Sequence, residues 1–107
     1  KPNLQESLMV EAESILNSNP TEAVKLYKSA LSADSLGKYA DVAAFAVGHY
    51  YDQEAILDSA LKYYEWFSAL KTNTEYSEEA FKRLTTIRSV MQTLNPDTLK
   101  NEPLESD

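Results

Sequence analysis

The sequence predicts an all-α chain built of antiparallel helical hairpins, and three observations carry that prediction. Only 2 Gly and 4 Pro occur in 107 residues, too few for the tight turns of a β protein. Apolar residues recur every three or four positions through five segments, the spacing of one helix face. The second and fourth segments also repeat one another at an offset of 37 residues. With 43% hydrophobic residues, the length suffices for one compact domain but not two.

The first helix is expected from Leu4 to Asn17, with Leu4, Leu8, Ala12, Ile15 and Leu16 on its apolar stripe. Asn17-Ser18-Asn19-Pro20 stops it and starts the next, because Asn19 can cap, Pro20 suits the first turn and Glu22 suits the positive helix end. The second helix runs from Pro20 to Ala33 with Ala23, Leu26, Tyr27, Ala30 and Leu31 on one face. Gly37 then offers a left-handed stop.

The third helix, Lys38 to Tyr51, differs in kind, since Ala40, Val42, Ala43, Ala44, Phe45, Ala46 and Val47 are read as a run without a charge. It is read as apolar all round, so it must be covered on more than one side, by neighbouring helices or by a partner. The fourth, Glu54 to Lys71, carries Ile56, Ala60, Tyr64 and Phe67, with Asp52 and Asp58 placed at its N-terminal end. The fifth, Glu75 to Leu94, carries Tyr76, Ala80, Leu84, Ile87, Met91 and Leu94, with Phe81 at the edge, and Asn95-Pro96 ends it. Asp58–Lys62, Glu78–Lys82 and Glu79–Arg83 are spaced as surface pairs within a helix. Residues 1–94 form the helical domain, and the polar, acidic segment 95–107 is expected to be disordered.

Superposing Ala23 on Ala60 also superposes Val24 on Leu61, Lys25 on Lys62 and Tyr27 on Tyr64. At this point the chain resembles the tetratricopeptide-repeat family, whose unit is about 34 residues. The second helix of that unit carries a small residue, an aromatic four later and another small one three later. Ala23, Tyr27 and Ala30 match, as do Ala60 and Tyr64. Phe67 replaces the last small residue, which implies wider helix spacing or a different neighbour there. Gly48 and Tyr51 match the family's first helix, preceded by Ala44 and Val47 at its apolar positions. Small residues let backbones approach, and the tyrosines fill the space beside them. The leading helix fits less closely, because placing Leu8, Ala12 and Ile15 on the pattern needs a loop one residue shorter. The resemblance covers residues 4–74. Ala and Tyr at helical spacing are also ordinary core residues, so a non-repeat bundle or another α-solenoid shares these features.

The resemblance implies about two repeat units with the fifth helix as a cap, and a concave groove lined by first helices. Val42, Phe45 and His49 would face that groove with Asp52 at its edge, joined by Leu8 or Met9 according to the register of the first unit. Such a groove would take an apolar or amphipathic segment of another protein. One branch of the family instead clamps a C-terminal carboxylate, using an asparagine directly after the small residue and basic side chains. Here that place holds His49, with no aligned basic pair.

Chemistry is sparsely signalled. With no Cys, thiol nucleophiles, thiolate metal sites and disulfides are excluded. His49 is the only histidine, so paired-His metal sites are ruled out. Asp52, Glu54 and Asp58 lack the spacing and turn glycine of a calcium loop, and helix-start acids explain them more simply. No phosphate-cradling glycine loop or nucleophile elbow occurs. Tyr50, Tyr51, Tyr63, Tyr64, Trp66 and Phe67 are an aromatic cage or, more simply, two helices packing through large side chains. Adjacent aromatics cannot all face one way, so some are expected at the surface. No enzyme activity, cofactor or metal is expected.

A net charge of −7, from 17 acidic and 10 basic residues, opposes nucleic-acid and anionic-membrane binding. Membrane insertion is not expected either. The cysteine-free composition fits an intracellular protein, and the start at Lys1-Pro2 suggests a fragment or processed product. The expected role is a protein-binding adaptor or scaffold. The alternative is a self-associating or structural and regulatory helical module of a larger complex or enzyme.

Overall fold

The structure, a computed structural model, describes residues 3–94. It is all-α: α1 (Leu4–Ile15), α2 (Pro20–Ala33), α3 (Ala40–Gln53), α4 (Leu57–Ala69) and α5 (Ser77–Leu94). Each helix packs on its neighbours in the chain, the arrangement of stacked helical hairpins, and no strand occurs among the described residues. None of the described helices is long and apolar enough to cross a membrane. The expected stop at Asn95-Pro96 and the acidic segment 95–107 lie outside the described residues.

Helix starts follow local chemistry. Asn3 and Asn19 accept from the backbone N–H of Glu6 and Glu22 at 2.8 and 3.2 Å, satisfying first-turn donors of α1 and α2. Pro20 occupies the first position of α2, where its missing N–H costs nothing. Between α3 and α4 the chain turns through Ala55, whose φ of 61° is left-handed. The Ile56 N–H donates to the Tyr51 carbonyl at 2.9 Å and the Ala55 N–H to Asp52 at 3.0 Å, the two bonds of a Schellman cap. This cap delays α4 to Leu57, three residues past the expected start at Glu54.

Five elements were legible, but the buried face of α1 was not. Gln5, Met9 and Ala12 are buried, whereas Leu4 is 65% and Leu16 39% exposed and Leu8 and Ile15 are half-buried. The reason is the Gln5 amide. Its Nε2 donates to the carbonyls of Ala30 (2.9 Å) and Asp34 (2.8 Å), and its Oε1 accepts from the Tyr39 N–H (3.1 Å). One side chain thus satisfies backbone groups at the end of α2 and the start of α3, which makes its burial favourable.

That bracket also corrects the reading of Gly37, whose φ is not positive. A Cβ there would lie 2.6 Å from both Gln5 Oε1 and Asp34 Oδ2. Gly37 is needed for close approach rather than for a left-handed stop.

Nor is α3 apolar all round. Asp41 lies inside it and is buried, its Oδ1 accepting from the Val42 N–H at 2.8 Å. The rest of the inner face is small: Ala40, Ala43, Ala44 and Val47 are fully buried, and Gly48 is buried with them. Helices α2 and α4 flank α3, so its covering comes from within the chain.

The residues expected to pack the hairpins lie in one core. Ala23, Ala30 and Ala60 are fully buried, as is Tyr64; Tyr27 and Phe67 are 3% exposed, and Tyr51 is half-buried. A Cβ on Gly48 would lie 2.9 Å from Cδ1 of Tyr64, so the ring packs directly on the glycine. Opposite Phe67 the small side chain sits on α5, where buried Ala80 lines a shallow recess of about 200 Å³ with it. Of the stripe expected on α5, Ala80, Leu84 and Ile87 are buried, while Leu94 is 66% and Phe81 69% exposed.

The ion pairs also differ from those expected by spacing. Arg83 reaches across to Asp52 on α3 instead of Glu79, Arg88 pairs with Glu65, and Lys25 with Glu22. Asp58–Lys62 and Glu78–Lys82 do not form.

Candidate functional site

The buried residues of α3 leave a second face about half a turn away. Val42, Phe45 and Ala46 are half-buried along it, and His49 is exposed. This face forms the floor of a groove of about 580 Å³. Glu13 of α1 and Leu16, just past its end, form one wall, with Tyr27 of α2 behind them, and Tyr76, just before α5, forms the other. The groove therefore spans both hairpins and the start of the last helix.

Phe45 is the centre of this surface. Its ring stacks on Tyr76 at 4.8 Å with a 23° interplanar angle and lies over His49 at 6.1 Å and 16°. It also meets Tyr64 and Phe67, each at 5.8 Å, edge-on or tilted. Phe45 is thus both groove floor and core lid. Burial pushes the hydroxyl pKa of Tyr27 up, and the Glu13 carboxylate adds to the effect. Tyr76 is raised as well, by burial first and then by the adjacent Glu75 carboxylate, with smaller contributions from Glu13 and Asp41.

Asp52 has a different task from the one expected. It lies in the last turn of α3, not at the start of α4, where the helix dipole disfavours an acid. Its side chain is only 8% exposed and takes a two-point salt bridge from Arg83, Nε to Oδ2 at 2.6 Å and Nη2 to Oδ1 at 2.8 Å. The Tyr64 hydroxyl donates to Oδ2 at 3.0 Å. The hydrogen bonds from Arg83 hold the Asp52 carboxyl below the usual carboxylate range, and burial beside that carboxylate pushes the Tyr64 hydroxyl far up. Asp52 belongs to a separate polar recess of about 400 Å³, shared with His49, Gln53, Glu79 and Arg83.

Of the five residues expected to bind a partner, the structure brings Val42, Phe45 and His49 together in the groove. Leu8 does not line it, and Asp52 is committed to Arg83 and Tyr64. Sequence reasoning missed Glu13, Leu16 and Tyr76 and assigned Tyr27 to packing alone. The signal for α1 was present in the shorter-loop register. Aligning buried Ala12 with buried Gly48 places Glu13 at the position of His49 and Leu16 at that of Asp52.

A second aromatic group runs through α3 and α4. Tyr51 stacks on Tyr63 at 6.0 Å and Tyr63 on Trp66 at 5.8 Å, while Lys28 donates to the Tyr51 hydroxyl and sits 4.8 Å from its ring centroid. Hydrogen bonding to Tyr51 raises the Lys28 pKa and favours its charged form.

Among the described residues, no group of three or more His, Asp or Glu side chains is arranged to hold a metal ion. What the groove offers is an apolar, aromatic floor with acids at its margin. Comparison with protein-family models, with curated proteins and with solved structures gave no match.

Proposed function

We propose that this chain is a tetratricopeptide-like adaptor domain that holds an apolar or amphipathic segment of another protein in the groove across α1, α3 and the start of α5. The observation that carries this reading is the groove itself. Tyr27, Val42, Phe45, Ala46 and Tyr76 gather in one concave surface, and such aromatic surfaces supply the anchors of peptide recognition. The succession of hairpins and the small residues Ala23, Ala30, Gly48 and Ala60 support the family reading. No Lys or Arg among the described residues lines the groove, which argues against capture of a carboxylate terminus. The cysteine-free composition fits an intracellular setting.

The test is selection of a displayed random peptide library on the intact chain, with Ala46→Trp as counter-target. The larger ring at Ala46 fills the groove while leaving the inner face of α3 untouched. Clones that bind the parent and not the variant, with circular dichroism unchanged, support the reading. Clones that bind both alike place the interaction elsewhere.

Self-association is the second reading, and the exposed apolar residues of α5 favour it: Val90 and Leu94 lie one turn apart on one flank of the helix and Phe81 on the other. Light scattering that reports a monomer at high concentration contradicts it.

A further inference from the structure

We propose that the segment taken by this groove is basic, with apolar side chains on the Phe45 floor and Lys or Arg side chains reaching Glu13 and Glu54. This rests on the groove being the binding site and adds the chemistry of its occupant.

The argument is charge complementarity. Among the described residues, Glu13 on α1 and Glu54 at the end of α3 are the only charged side chains that line the groove, and both are acids. Both are exposed, and neither is in an ion pair among the described residues. Of the two acids on either side of Glu54 in the α3–α4 connection, Asp52 is neutralised by Arg83 and Asp58 accepts from the Ser59 N–H. Glu13 lines the same groove as Tyr27 and Tyr76, so its carboxylate borders the space an occupant would fill. An acidic occupant would meet like charge at the margin, while a basic one gains two ion pairs without giving up the apolar floor.

Two nearer occupants are disfavoured by the same electrostatics. The chain's own end carries Asp97, Glu102, Glu105 and Asp107 against a single Lys100, and a second copy brings a net charge of −7. Two rim pairs in water amount to about a tenfold gain in affinity at low ionic strength, screened as salt rises.

The experiment sequences the clones that discriminate the parent chain from Ala46→Trp, then measures one as a synthetic labelled peptide by fluorescence anisotropy. The expected result is an excess of Lys and Arg beside apolar anchors. Binding should weaken about tenfold on combining Glu13→Lys with Glu54→Lys, and the same peptide with glutamine in place of its basic residues should be indifferent to that change. Discriminating clones that are neutral or acidic, or an affinity unmoved by the double reversal, overturn the basic occupant and leave the groove standing. The absence of any discriminating clone overturns the groove and this inference with it. A dimer in light scattering that Ala46→Trp dissolves makes a second copy the occupant and overturns the inference as well.

Discussion

Asp52 and Arg83 meet in a two-point salt bridge that ties the last turn of α3 to α5, 31 residues along the chain. The Tyr64 hydroxyl on α4 completes it, so one carboxylate joins three helices. Asp52→Asn keeps the size but removes the charge, leaving the guanidinium poorly matched. Since Arg83 is one-third exposed and water can compensate part of the loss, the expected cost is about 1–3 kcal/mol. Urea unfolding at neutral pH measures it.

The same pair sets an acid limb of stability. Because the folded carboxyl of Asp52 titrates below its unfolded value, its contribution is present above about pH 4 and is lost as pH falls through the folded value. Urea midpoints should therefore fall more steeply below pH 4 for the parent chain than for Asp52→Asn. Equal slopes would contradict the assignment.

Gly48→Ala probes the closest approach of α3 to α4. The new methyl would sit 2.9 Å from a ring that is fully buried and tethered to Asp52, so neither side can yield freely. Alanine's better helix propensity returns about 1 kcal/mol, against an overpacking cost of about 1–3 kcal/mol. The expected outcome is net destabilisation, read as a lower urea midpoint. A stabilised variant would show that Tyr64 is free to move.

Gln5 offers a test with a pH signature. Gln5→Glu replaces an amide donor facing two carbonyls by a carboxylate. At neutral pH it should destabilise by about 1–3 kcal/mol, because a buried carboxylate with no donor then faces two carbonyl oxygens. Protonation restores a donor, so the deficit relative to the parent should shrink as pH drops toward 4. A deficit independent of pH would mean that the side chain has left its bracket.

Ala55 sits at φ 61°, where glycine is unstrained. Ala55→Gly should raise the thermal midpoint by a few degrees, corresponding to about 0.5–1 kcal/mol for a chain of this size. Calorimetry or circular dichroism checks it.

These cases show what the sequence made legible. The existence and order of five helices followed from periodicity and from caps such as Asn19-Pro20, because those are local properties. The face of α1 did not, since an apolar count cannot see that Gln5 is buried by hydrogen bonds to residues 25 to 34 positions away. Gly37 misled for the same reason, its role being set by Gln5 rather than by its own backbone. Asp52 read as a helix-start acid until the Schellman cap at Ala55 placed it at a helix end, facing Arg83. In the groove, Val42, Phe45 and His49 were legible from α3 alone and Glu13 only in the shorter-loop register, whereas Tyr76 required knowing how three helices meet.

The most direct test of the groove is backbone and side-chain NMR of the intact chain titrated with a peptide selected on it. Shift changes should concentrate on Tyr27, Phe45, Ala46, His49 and Tyr76, and vanish in Ala46→Trp. Changes concentrated instead on Phe81, Val90 and Leu94, with the groove resonances unmoved, would contradict the account.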